Sequence, residues 1–156
     1  MQKAIFLDRD GVLIAERDGA YNFELKNSYL LPGIGLFLQE MAKQGYIFIV
    51  ITNQSGVSKG LYTLENLEAM HQSISEQLKS FGVEIAEYYA CPHFPAVSEC
   101  LCRKPKGLLI QKAVARFGID SKLSVMIGDR PRDIEAANVA GVRGLLIESN
   151  SVLKSI

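Results

Sequence analysis

Residues 46–51, Tyr-Ile-Phe-Ile-Val-Ile, form an unbroken apolar run. Six residues are too few for a buried helix or a membrane span, and the run is rich in β-branched and aromatic side chains. It reads as a strand covered on both faces, which is how strands of a parallel sheet are buried. Residues 3–7, 85–90, 123–127 and 142–147 read as further strands. Between them lie amphipathic helices. Residues 34–44 put Ile34, Phe37, Leu38 and Met41 on one face. Residues 63–81 put Leu64, Leu67, Met70, Ile74, Leu78 and Phe81 on one face, opened by a Thr63 cap with Asn66 behind it. Residues 107–117 and 131–140 complete the set, with Pro131 in a first turn and Gly45, Gly82, Gly118 and Gly141 at helix stops. Strand–helix alternation predicts an α/β, doubly wound (Rossmann-like) parallel sheet of about five strands, with 1–156 as a single domain.

In such sheets ligands bind beyond the carboxyl ends of the strands. Each strand is followed by polar residues. After the first comes Asp8-Arg9-Asp10-Gly11. Residues two apart share a side of an extended chain, so Asp8 and Asp10 are expected to face one site and Arg9 to face away. Two convergent carboxylates suit Mg2+; a plain turn explains the same residue types. After the second comes Thr52-Asn53-Gln54-Ser55-Gly56, suited to an oxyanion or to an ordinary polar loop. The stretch 91–104 ends in Arg103-Lys104, a phosphate cation or a solvated basic pair. After the fourth come Asp129 and Asp133. Asp133 is explained by a helix start; Asp129, still on the strand end, is explained less easily.

Taken together and in order, FLDRDGV, VITN, RKP and MIGDRPRD resemble the four motifs of the haloacid dehalogenase superfamily of phosphohydrolases, over roughly residues 3 to 147. The resemblance implies Asp8 as a nucleophile that forms an aspartyl-phosphate and Asp10 as the general acid and then base. It implies Mg2+ on the Asp8 carboxylate, the Asp10 backbone carbonyl and Asp129, and Thr52, Asn53 and Lys104 around the transferred phosphoryl group. With that metal present, two neighbouring acids at a buried strand end become affordable.

Cys91, His93, Cys100 and Cys102 give C-x-H-x6-C-x-C. Three thiols and an imidazole make a closed tetrahedral set for structural Zn2+. Free thiols, or a redox pair at Cys100 and Cys102, are weaker alternatives, since the spacing is C-x-C. His71 reads as structural. A C-x-H…C-x-C loop directly before RKP resembles the cap-less branch of the superfamily, which acts on D-glycero-D-manno-heptose 1,7-bisphosphate or on histidinol phosphate. TNQSGVSKG and the absence of a Glu-Pro-Pro stretch favour the heptose; the short cysteine loop and GDR favour histidinol phosphate. The resemblance adds Arg103 as a substrate contact, and Lys59 is a further candidate for a distal phosphate. Glu16, Asp18 and Glu24 are the acids that would suit an amine.

Lys plus Arg and Asp plus Glu balance at 17 each. With no basic stripe and no apolar run near ~20 residues, neither nucleic acid nor membrane is an expected partner. The expected partner is a small phosphorylated metabolite, the expected state a monomer, and the expected compartment the cytoplasm, since the first residues lack a secretory pattern. A non-catalytic phosphosugar-binding module on the same fold would not need all of Asp8, Asp10, Thr52, Lys104 and Asp129.

Overall fold

A computed structural model describes all 156 residues. The chain runs β1 (Lys3–Leu7), α1 (Ile34–Lys43), β2 (Tyr46–Asn53), α2 (Leu64–Lys79), β3 (Ile85–Cys91), α3 (Leu108–Phe117), β4 (Val125–Gly128), α4 (Pro131–Val139) and β5 (Arg143–Leu146). These bounds lie within about two residues of those expected from the sequence, and all five strands are parallel in the order β3-β2-β1-β4-β5.

The period-two alternation of the strands splits the core into two layers. Ile5 and Leu7 of β1, Phe48 and Val50 of β2, and Val125 and Ile127 of β4 pack against Phe37 and Leu38 of α1 and Met70, Ile74 and Leu78 of α2. Ala4, Phe6, Ile49, Ile51 and Met126 point the other way, against Leu109, Ile110 and Ala113 of α3 and Ala136 and Ala137 of α4. The apolar stripes read from the sequence are these buried faces. The Thr63 cap forms as expected: its hydroxyl accepts the Asn66 N–H at 3.2 Å, and Asn66 Oδ1 accepts the Thr63 N–H at 2.9 Å.

β1 sits at the centre of the sheet, between β2 and β4, so the order of connection reverses at its carboxyl end. That is where a doubly wound sheet opens a crevice. Residues 11–33 form a short flap beside it, held by isolated bridges between Ile14 and Leu30 and between Arg17 and Ala20. No helix is long and apolar enough to cross a membrane.

Candidate active site

The carboxyl end of β1 places Asp8 at the floor of a cavity of ≈ 220 Å³. Asp8 Oδ1 accepts the Arg9 backbone N–H at 2.8 Å and meets Lys104 Nζ at 2.9 Å. Burial pushes the Asp8 carboxyl up to about 7, Asp133 and Asp10 add to the rise, and Lys104 opposes it. Two residues on, Asp10 also lines the cavity, as the alternation predicts. Its carboxylate accepts Asn22 Nδ2 at 2.7 Å, Gln54 Nε2 at 3.0 Å, and Arg9 Nε and Nη2 at 3.1 and 3.2 Å.

Arg9 does not line the cavity, in keeping with the alternation, and it is not solvent-exposed either. It is fully buried and its guanidinium folds back onto Asp10 and the Asn22 carbonyl. A buried arginine must find carboxylate and carbonyl oxygens, and Asp10 supplies the nearest.

Lys104 joins the carboxyl ends of β1 and β2 to the first turn of α4. Its ammonium donates to the Ile51 carbonyl at 2.6 Å and pairs with Asp8 at 2.9 Å and Asp133 at 2.7 Å. Burial alone would lower its pKa; the two carboxylates outweigh burial and raise it. Asn53 holds the Lys104 segment in place by a reciprocal pair, Nδ2 to the Lys104 carbonyl at 3.1 Å and Oδ1 to its N–H at 3.0 Å.

Asp133 is therefore more than a helix start. Its Oδ2 does accept the Arg130 N–H at the head of α4, at 3.0 Å. Its other oxygen serves Lys104, and the side chain is fully buried. Gly128 makes room: a Cβ there would lie 2.2 Å from the Asp133 Cβ.

Asp129 lies across from Asp8. Oxygens of Asp8, Asp129 and Asp133 all fall within 4.8 Å of one another. Asp129 Oδ2 accepts the Ser149 hydroxyl, while Oδ1 is buried with no partner. An unpaired buried carboxylate oxygen beside a second carboxylate fits a hard cation. Gly11 permits this packing, with φ 88° and a would-be Cβ only 2.2 Å from Asp129 Oδ2.

Of the residues singled out in the sequence, Asp8, Asp10, Asn53, Arg103 and Asp129 line the cavity. Thr52 and Lys104 are buried just beneath it, Thr52 accepting Gln54 Nε2 at 2.9 Å. Tyr21, Ser55, Arg130 and Arg132 join the lining without having been singled out. Lys59 does not line it. Its ammonium donates to the Tyr21 hydroxyl at 2.7 Å and lies over the Phe94 ring at 4.1 Å. Of the three flap acids, only Glu16 reaches the cavity, where it meets Arg130 at 3.2 Å.

The cysteine loop closes on itself. Cys91 Sγ lies 3.6 Å from Cys100 Sγ, 3.2 Å from Cys102 Sγ and 3.5 Å from His93 Nδ1, and His93 Nδ1 lies 3.3 Å from Cys102 Sγ. A tetrahedron with Zn–S bonds of about 2.3 Å has edges near ~3.8 Å, so the set fits Zn2+. Arg103 Nη1 donates to the His93 carbonyl at 3.3 Å, which ties the loop to the cavity rim.

A family model described as HAD-hyrolase-like matches residues 101–154. The D-glycero-beta-D-manno-heptose-1,7-bisphosphate 7-phosphatase of Helicobacter pylori is 36% identical over 154 residues, covering 98% of this chain and 87% of that protein. The histidine biosynthesis bifunctional protein HisB of Campylobacter jejuni is 34% identical over 145 residues, covering 92% of this chain and 41% of that protein. Among solved structures, the D,D-heptose 1.7-bisphosphate phosphatase of B. bronchiseptica, complexed with magnesium and phosphate, superposes with a TM-score of 0.87 at 31% identity, covering 93% of this chain and 80% of that one. The resemblance carried by the four motifs thus extends over nearly the whole chain, and the chain belongs to the haloacid dehalogenase-like phosphatases.

Proposed function

We propose that residues 1–156 act as one cap-less, Mg2+-dependent phosphomonoesterase domain whose substrate is D-glycero-D-manno-heptose 1,7-bisphosphate. Asp8 attacks phosphorus, the ester P–O bond breaks, and its electron pair stays on the leaving oxygen, which takes a proton from Asp10. Water then attacks the aspartyl-phosphate and gives a proton to Asp10, and the Asp8 carboxylate departs. Asp8, Asp129 and the Asp10 carbonyl would hold Mg2+, which supplies positive charge to the phosphoryl oxygens when bound. Lys104 favours the ionised form of Asp8 and aims it, and Asp133 keeps Lys104 in place. Zn2+ on Cys91, His93, Cys100 and Cys102 holds Arg103 at the rim. Three free thiols as zinc ligands suit a reducing compartment, the cytoplasm.

The observation that carries the substrate is the charge of the cavity mouth. Beyond the reacting end, Arg103, Arg130 and Arg132 line it, and Glu16 is the one carboxylate. Arg130 is paired with Glu16 at 3.2 Å, and the remaining two guanidinium groups, Arg103 and Arg132, favour a second phosphate. Histidinol phosphate is the second reading, favoured by Glu16 as a partner for its amine. Side-by-side kinetics decide: kcat/KM is expected to be higher for the heptose bisphosphate, and Arg103→Ala is expected to lower it far more than that for histidinol phosphate. Reversed selectivity would give the second reading. No turnover of either would leave a phosphosugar-binding module.

A further inference from the structure

Arg9 occupies the middle of Asp-x-Asp, where the alternation of an extended chain carries the side chain away from the cavity. It is nonetheless among the largest completely buried side chains in the molecule. A buried guanidinium costs several kcal/mol in lost hydration, so its partners must be good. Nε reaches Asp10 Oδ2 at 3.1 Å and Nη2 reaches Asp10 Oδ1 at 3.2 Å, a two-point fork on one carboxylate. Nη2 also donates to the Asn22 carbonyl at 2.9 Å.

The rest of the cradle is built around the same carboxylate. Asn22, itself buried, donates to Asp10 Oδ1 at 2.7 Å and to the Ala15 carbonyl at 2.7 Å. Gln54 donates to Asp10 Oδ2 at 3.0 Å, and its own Oε1 accepts the Tyr62 hydroxyl at 2.5 Å. Each oxygen of Asp10 therefore has two donors, and Arg9 is the only one that touches both. Asn22 and Gln54 each fix one oxygen; the fork fixes the plane.

We propose that Arg9 is a positioning residue for Asp10: it sets the orientation in which that carboxyl delivers a proton to the leaving oxygen and takes one from water. This rests on the acid–base role of Asp10 given above. Proton transfer depends on placement, and misplacing the group is expected to forfeit most of its ~10²–10⁴-fold contribution.

The test uses the purified full chain with Mg2+ and compares Arg9→Met, Arg9→Lys and Asp10→Asn with the wild type. Nitrophenolate is a good leaving group and needs no proton, so formation of the aspartyl-phosphate from 4-nitrophenyl phosphate should survive while its hydrolysis slows. Arg9→Met should thus show a pre-steady-state burst approaching one nitrophenolate per site, followed by a steady state slowed about 10²-fold. With an alkyl phosphate the first step itself should slow, and no burst should appear. Arg9→Lys, which keeps the charge but lacks the fork, should show the same pattern more mildly, and it decides the matter if Arg9→Met does not fold. A uniform slowing of both steps, or wild-type rates in folded Arg9→Lys, would overturn the proposal. Absence of the burst pattern in Asp10→Asn would instead overturn the role of Asp10.

Discussion

Asp8→Asn should stabilise the magnesium-free protein while abolishing turnover. Asp8 is 6% exposed, and its carboxyl is raised from 3.8 to about 7, chiefly by burial. At about 1.36 kcal/mol per pKa unit, ionising it in the fold costs at most roughly 4 kcal/mol. That figure is already net of the attraction to Lys104, and with the amide in place Asp133 remains as the one carboxylate on Lys104. A net gain of about 1–3 kcal/mol is expected, or about 3–10 °C in Tm for a chain of this size. The sign follows from linkage. The folded-state pKa lies above the unfolded one, so this group stabilises the fold while protonated. That contribution is complete below 3.8 and is lost as pH rises through about 7. The gap between variant and wild type should therefore be absent in acid and open by pH 8. Added Mg2+ should raise the wild-type Tm and close the gap. Calorimetry in magnesium-free buffer at both pH values checks this. An Asp8→Asn protein less stable than wild type at pH 8 would refute the reasoning.

Purified protein should carry about one zinc per chain, by the four-ligand count. Removing it should raise KM more than it lowers kcat, because the loop reaches the cavity through Arg103. Elemental analysis and kinetics before and after chelation test both. Asp133→Asn should lower kcat by 10-fold or more, since it loosens Lys104, while far-ultraviolet circular dichroism remains that of a folded chain. Gly11→Ala should destabilise by about 1–2 kcal/mol from its left-handed backbone alone. It should also weaken Mg2+ binding by displacing Asp129, measured as the Mg2+ concentration for half-maximal rate.

The architecture was legible because burial wrote itself into periodicity. Nearly continuous apolar runs marked β2 and β4, and stripes marked α1 and α2. The strand-end acids were legible for the same reason: charge directly after a buried strand is conspicuous. What pattern could not reveal was long-range pairing. Asp133 was hidden because the helix dipole explains an acid at that position, and only the fold brings Lys104 to it. Arg9 reads as a residue turned from the site, since period two fixes where Cβ points and not where a long side chain ends. Lys59 reads as a free cation until Tyr21 and Phe94, distant in sequence, are seen to hold it. Ser149 lies after β5 in a segment with no periodic signal, yet its hydroxyl meets Asp129.

The central claim is that Asp8 carries the phosphoryl group between two half-reactions. Rapid acid quench during turnover, followed by proteolysis and mass spectrometry, tests it most directly. The account predicts a phosphorylated peptide bearing the adduct on Asp8, formed within one turnover and absent in Asp8→Asn. Full turnover with no phosphorylated enzyme at any quench time, or an active Asp8→Asn protein, would contradict it.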